Sequence, residues 1–263
     1  MSGGDVERRA RACGHPVRSR RPDGRSSRRS RTAVLTVAPS PTPSTVDRAA
    51  LSRGASDDAI YRSVAAALVA RKCSGTIVDV GCGAGRLLTY LQGRFDRYIG
   101  VDLIAYAGFP VSERRIVADV EQQSIPLASR CADVAVAVEV IEHLENPRAF
   151  VRGLTRLVAP GGWVVITTPN QRSALSLLTL AFRGRFAAFQ DVNYPAHITA
   201  LLDVDLRRIA SECGLVDARI EFTACGRIPK AHQCYPEFLS RRFPAALSDN
   251  VLLVARTPIP VLA

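Results

Sequence analysis

Apolar and polar positions along this chain follow two periods, and the two periods take turns. From Ser56 onward, Ile60, Val64, Ala67 and Leu68 recur at helical spacing behind Asp57 and Asp58, which suit the positive end of a helix. Residues 76–80 then form a short apolar β run. Leu87, Leu88 and Leu91 mark a helix, 98–101 a second strand, 115–117 a weak third and 133–138 a buried fourth. Asn146 and Pro147 read as an N-cap and a first helical residue ahead of Phe150, Val151, Leu154, Leu157 and Val158. Pro160-Gly161-Gly162 breaks that helix before a strand at 163–167. Asp203 is expected to cap a helix with Leu206, Ile209, Ala210 and Cys213 inward, stopped by Gly214. Strands at 219–223 and 251–255 complete the pattern. Strands alternating with helices predict an α/β fold, a mostly parallel sheet with helices on both faces.

The first 54 residues show neither period. Arg, Ser and Gly clusters run to Thr32, and Pro39, Pro41 and Pro43 follow among Ser and Thr. Such a segment buries too little apolar area to offset its ordering entropy, so a disordered basic tail over 1–54 and a folded domain over 55–263 are expected. The charge divides the same way. Of the formal +11, residues 1–32 carry +7 and the rest of the chain only +4. The folded part is therefore not expected to bind nucleic acid through a basic surface. Seven cysteines without a CxxC pair suit free thiols in a reducing cytoplasm. No apolar run has the length of a membrane span, and no apolar segment follows the N-terminal charges as a signal peptide would require.

The most specific chemical signal is Val78-Asp79-Val80-Gly81-Cys82-Gly83-Ala84-Gly85, between a strand and a helix. Glycines there let the backbone turn sharply and approach a ligand, and the helix start offers free N–H groups. Asp102 ends the next strand, where an acidic side chain accepts hydrogen bonds from ribose hydroxyls. The dinucleotide fingerprint GxGxxG fails, because Arg86 stands at its third glycine.

The Asp-x-Gly-x-Gly-x-Gly pattern resembles the first motif of class I methyltransferases that use S-adenosylmethionine, and the resemblance extends over roughly 56–256. It implies a Rossmann-like, seven-stranded, mostly parallel sheet whose last strand, at 251–255, is antiparallel. It implies S-adenosylmethionine as cofactor, held by Asp79, Gly81, Cys82, Gly83, Gly85, Asp102 with its neighbour Leu103, and Glu139. Asp119 matches the residue near the adenine amino group, and Val120 lies beside the ring.

Past the fourth strand stands Glu139-Val140-Ile141-Glu142-His143-Leu144. If this stretch turns helical, Glu139, Glu142 and His143 fall at i, i+3 and i+4 on one face. With His197 as a fourth member, the group suits a general base or part of a metal site. We expect His143, Glu142 and His197 to be catalytic without a resident metal. The same residues resemble ubiquinone-biosynthesis O-methyltransferases and related small-molecule enzymes. They also resemble small-RNA 2′-O-methyltransferases, where such residues hold a metal. A small-molecule acceptor is therefore expected, such as a quinone precursor, a sugar or lipid-linked glycan, or another secondary metabolite. The alternatives are a metal-assisted RNA 2′-O-methyltransferase and a non-catalytic cofactor-binding module. Of two insertions, 171–195 and 226–249, the first is expected to choose the substrate and the second to fold over the same mouth. The first mixes Leu177, Leu178, Phe182 and Phe186 with Arg183 and Arg185, which suits a lid or a peripheral membrane contact. The second contains Lys230, His232 and Cys234, and Cys234 stands nine residues from Cys225, without zinc-ligand spacing.

Overall fold

A computed structural model describes residues 43–51, 54–122, 124–229, 231 and 233–260. The tail through residue 42, and Lys230 and His232 in the second insertion, lie outside the described residues. The alternating pattern produces α2 (Asp58–Ala70), β1 (Thr76–Val80), α3 (Arg86–Leu91), β2 (Arg97–Asp102), β3 (Arg114–Val117) and β4 (Ala132–Ala137). After these come α4 (Pro147–Leu157), β5 (Val158–Pro169), α5 (Ala174–Arg183), α6 (Asp203–Glu212), β6 (Val216–Phe222), α7 (Glu237–Arg242) and β7 (Asn250–Arg256). The strands form one seven-stranded sheet in the order β3-β2-β1-β4-β5-β7-β6. The pairs from β3 to β5 are parallel, and β7 runs antiparallel to both of its neighbours. This is the Rossmann-like α/β arrangement expected from the sequence.

Period-2 alternation divides the core in two. Val78, Val80, Ala135, Ala137, Val164, Ile166 and Leu253 face α4 and α6, where Phe150, Leu154, Leu157, Leu206 and Ile209 meet them. Ile77, Tyr98, Val134, Val136, Val165 and Leu252 face α2 and α3, with Val64, Leu68 and Leu87. A sheet buried on both faces explains why its strands read as continuous apolar runs. Asn146 caps α4 as expected, its side chain accepting from the Ala149 amide at 2.9 Å. At α6 the N-cap is Leu202, and Asp203 is the first helical residue. Asp205 satisfies the helix start instead, accepting from the Leu202 amide at 3.1 Å.

Two further differences bear on the site. Pro160-Gly161-Gly162 does not separate the helix from the strand. It forms an irregularity inside a twelve-residue β5, where the register against β4 jumps from Ala132↔Val158 to Val134↔Trp163. The expected tail also contains a helix, α1 (Pro43–Leu51). Arg48 on α1 is buried, bonded to Glu121, and the Tyr106 hydroxyl donates to the Ala49 carbonyl at 2.7 Å. These tertiary contacts hold a segment whose composition alone would not fold. Among the described residues no helix is long and apolar enough to cross a membrane.

Candidate active site

The parallel strands end on one side of the sheet, and the turns beyond β1, β2, β3 and β4 surround a cleft of about 550 Å³. Of the sequence-predicted residues, Asp79, Gly81, Cys82, Asp102, Leu103, Asp119, Val120, Glu139, Glu142, His143 and His197 line it. Gly83 and Gly85 do not. Gly83 has φ +53, its amide donates to the Asp102 carboxylate at 2.7 Å, and a Cβ built on it would lie 2.0 Å from the Gly54 carbonyl oxygen. Gly85 precedes α3 with φ +76, against Phe109 and Pro110. Both glycines therefore shape the turn from behind. Gly81 is packed closely too, since a Cβ there would meet Val140 at 2.2 Å.

The acidic residues are held differently from one another. Asp102 accepts from the Gly83 amide with one oxygen and from the Ile104 amide at 3.0 Å with the other. Asp79 accepts from the Tyr98 hydroxyl, while its other oxygen is buried without a hydrogen-bond partner. Burial pushes the Asp79 carboxyl up to about 7, although the Tyr98 hydrogen bond opposes the shift. Asp119 accepts from the Glu121 amide at 2.9 Å and leaves Oδ2 buried and unpartnered. Unsatisfied buried acceptors are rare, and these two stand on the wall of the cleft, where a ligand's N–H or O–H groups would satisfy them.

The stretch after β4 does not become a continuous helix. Ile141–His143 makes one 3-10 turn, and Glu139 stands before it in the left-handed region at φ 55. Glu139 therefore does not share a helical face with Glu142 and His143. It is fixed from β5 and β7. The Thr167 hydroxyl donates to Oε1 at 2.8 Å and the Asn250 amide to Oε2 at 2.8 Å. Burial first, and the Glu142 charge second, raise its carboxyl well above the ordinary range. Glu142 is fully buried, accepts from the Thr168 hydroxyl at 3.1 Å and is pushed by burial to about 8. Its Oε1 makes no hydrogen bond of normal geometry.

The structure does bring the two distant histidines together. The rings of His143 and His197 lie edge to face, with centroids 4.9 Å apart. His143 Nδ1 is 2.8 Å from the Ala196 carbonyl, and His197 Nδ1 is 2.8 Å from the Ala188 carbonyl. A carbonyl only accepts, so both Nδ1 atoms carry the proton and both Nε2 atoms are basic. Burial lowers both imidazoles, that of His197 to about 4 with the neighbouring His143 adding to the shift. Glu142, His143 and His197 each offer one ligand atom within 4.8 Å of the others. Glu139 is not a member of that group, so the four-residue cluster suggested by the sequence contracts to three.

A second cavity of about 420 Å³ adjoins the cleft and shares Glu139, Val192, Asn193 and His197 with it. Asn250 and the Arg227–Asp249 ion pair also line it. Sequence reasoning missed the α1 wall of the cleft, formed by Arg48, Ala49, Ala50 and Leu51. The available signal was proline at the first helical position, Pro43, after Thr42.

A family model described as a methyltransferase domain (Methyltransf_23) matches residues 54–218. Two curated relatives are ubiquinone biosynthesis O-methyltransferases. The one from Leptothrix cholodnii is 31% identical over 114 residues, 40% of this chain and 48% of that protein. The mitochondrial one from Rattus norvegicus is 34% identical over 124 residues, 42% of this chain and 35% of that protein. The chain thus spans about half or less of the length of these curated relatives. A solved S-adenosylmethionine-dependent methyltransferase from Archaeoglobus fulgidus shares the fold, with a TM-score of 0.55 and 18% identity over 75% of this chain and 94% of that one. Because the family model covers more than half of the chain, the protein belongs to the class I methyltransferases and uses S-adenosylmethionine as its cofactor.

Proposed function

We propose that the protein methylates a hydroxyl group of a small-molecule acceptor, with His143 as the general base. The observation that carries this reading is the wall shared by the two cavities. His197 and Glu139 line both, and His143 stands beside His197 with a basic Nε2. Methyl transfer at that boundary joins a cofactor in the larger cleft to an acceptor in the smaller one. S-adenosylmethionine supplies a methyl group already activated on a sulfonium. In this reading Asp102 accepts from the ribose hydroxyls, Asp119 Oδ2 from the adenine amino group beside Val120, and Asp79 and Glu139 face the methionine part. The chain then has to align the acceptor oxygen and remove its proton. Alignment is worth roughly 7–11 kcal/mol of barrier. Proton removal falls to His143, whose ring is held by the Ala196 carbonyl, with Glu142 and His197 setting its surroundings.

The resemblance to ubiquinone-biosynthesis enzymes supports a phenolic acceptor, and a sugar or lipid-linked glycan fits the same chemistry. The first insertion supports a membrane-proximal acceptor. On α5, Leu177, Leu178 and Phe182 are exposed beside Arg183, an arrangement suited to an anionic lipid surface.

A second reading is favoured by one observation, that buried Glu142, which has an unpartnered Oε1, offers a carboxylate oxygen within 4.8 Å of ligand atoms of His143 and His197. In that reading Glu142, His143 and His197 hold a divalent cation, which would lower the pKa of a bound hydroxyl. The Nδ1–carbonyl bonds would then be the outer contacts that orient metal-binding histidines. One experiment tests both. His143→Ala should cut turnover on a catechol or phenol panel by about 10²–10⁴-fold with little change in cofactor affinity. Chelator leaves wild-type activity intact under the base reading and abolishes it under the cation reading. Full activity of His143→Ala in both conditions overturns both.

A further inference from the structure

Outside the cleft, the second insertion brings two thiols together. The chain leaves β6 at Phe222, turns at Cys225–Gly226 and makes a short hairpin in which Arg227 bridges Cys234. The Tyr235 amide donates to the Gly226 carbonyl at 2.8 Å and the Ile228 amide to the Gln233 carbonyl at 3.0 Å. The start of this hairpin is anchored. The Asp249 amide donates to the Cys225 carbonyl at 2.9 Å, and a Cβ on buried Gly226 would meet the Leu247 carbonyl oxygen at 2.5 Å. The far strand is held to the first by the two backbone bonds of Tyr235 and Ile228, and Cys234 on it is exposed. The two sulfurs are 3.4 Å apart, nine residues apart in sequence. The other described cysteines, Cys73, Cys82, Cys131 and Cys213, are buried or partly buried. Between the two cysteines in sequence stands Arg227, whose guanidinium reaches Asp249 at 2.5 Å on the wall of the second cavity.

We propose that Cys225 and Cys234 form a reversible disulfide, a redox-sensitive clasp that closes the hairpin carrying Arg227. The oxidant is a low-molecular-weight disulfide. The exposed Cys234 thiolate attacks one of its sulfurs, and the first small thiolate leaves. The Cys225 thiolate then attacks the Cys234 sulfur of this mixed disulfide and releases the second. The protein loses two protons and two electrons, and the small disulfide becomes two thiols. The order follows from the surroundings. Burial and the adjacent Cys234 push the Cys225 thiol up to about 12, so Cys234 is the thiol that meets the oxidant first. Exposure of one sulfur makes the bond reducible, because accessible disulfides are the labile and regulatory ones. The consequence is local. Oxidation adds a covalent link to the two backbone bonds between the strands and restricts Arg227 at the second cavity.

Trypsin separates the two cysteines into peptides 220–227 and 231–241, because Arg227 and Lys230 lie between them. The full chain, equilibrated with mixtures of oxidised and reduced glutathione, is alkylated, digested and weighed. The expected result is one linked species containing both peptides, lighter than their sum by two hydrogen atoms. It should disappear on return to excess reduced glutathione and be absent in Cys234→Ser. Hydrogen exchange of the amides at 226–236 should slow on oxidation in the wild type and not in Cys225→Ser. A mixed glutathione disulfide at Cys234 that never resolves into the linked species would overturn the proposal. So would linkage that leaves hydrogen exchange unchanged, since the clasp would then clasp nothing.

Discussion

The Arg48 guanidinium lies 2.5 Å from the Glu121 carboxylate, joining α1 to the loop that follows Asp119. Both side chains are nearly buried, and Arg48 also approaches Glu145 at 3.6 Å. Removing one partner of a buried pair costs on the order of 3–5 kcal/mol, and the residual exposure of Glu121 puts this pair at the lower end. Arg48→Ala should therefore lower the melting temperature and weaken S-adenosylmethionine binding. A chain starting at residue 55, which lacks α1 altogether, should lose affinity as well, whereas one starting at residue 38 should keep it. Calorimetry and thermal melts on the three proteins check this. Unchanged affinity without α1 would remove that helix from the binding site.

Two substitutions separate the cleft from its support. Asp102→Ala removes an acceptor from the wall and strands the Gly83 and Ile104 amides. It should weaken cofactor binding at least tenfold, about 1.4 kcal/mol, roughly one charge-assisted hydrogen bond. Gly83→Val meets the Gly54 carbonyl oxygen and a left-handed backbone, so it should lower the melting temperature as well as affinity. A Gly83→Val protein that melts like the wild type would contradict the packing described for Gly83.

Asp79 makes stability depend on pH in a defined direction. Its carboxyl titrates near 3.8 when unfolded and at about 7 in the fold. Between those values the folded state binds more protons than the unfolded state. Its contribution is full below the lower value and is lost as pH rises through the upper one. Asp79→Asn keeps an acceptor for the Tyr98 hydroxyl and removes the titration. Denaturant melts of the cofactor-free protein across pH 4 to 7 should decline less steeply for the variant than for the wild type. Parallel profiles would mean that Asp79 ionises normally in the fold.

The exposed face of α5 predicts attachment to lipid. The wild-type protein should sediment with vesicles containing an anionic phospholipid, and Leu178→Ser with Phe182→Ser should weaken this without lowering the melting temperature. Raised salt should weaken it too, through Arg183. Equal sedimentation of the double variant would exclude this face as the contact.

Much of this fold was legible in the sequence because its elements are set by local periodicity. Short apolar runs at 76–80, 98–101 and 133–138 marked strands buried on both faces, and Asn146-Pro147 marked a helix start through backbone chemistry confined to a few residues. The glycine turn and the acidic residues at or just past the ends of β1, β2 and β3 were legible for the same reason, since each is placed by the end of a strand. Tertiary structure decided the rest. Whether 139–143 forms a helix depended on Thr167 and Asn250, which belong to other strands and hold Glu139 outside the turn. Whether 43–51 folds depended on Glu121 and Tyr106, far along the chain. The contact of His143 with His197, 54 residues apart, has no local cause. A short peptide's preference is weak, at most about 1 kcal/mol per residue, so a few long-range hydrogen bonds and buried contacts outweigh it. Those partners exist only once the sheet has brought its strand ends together.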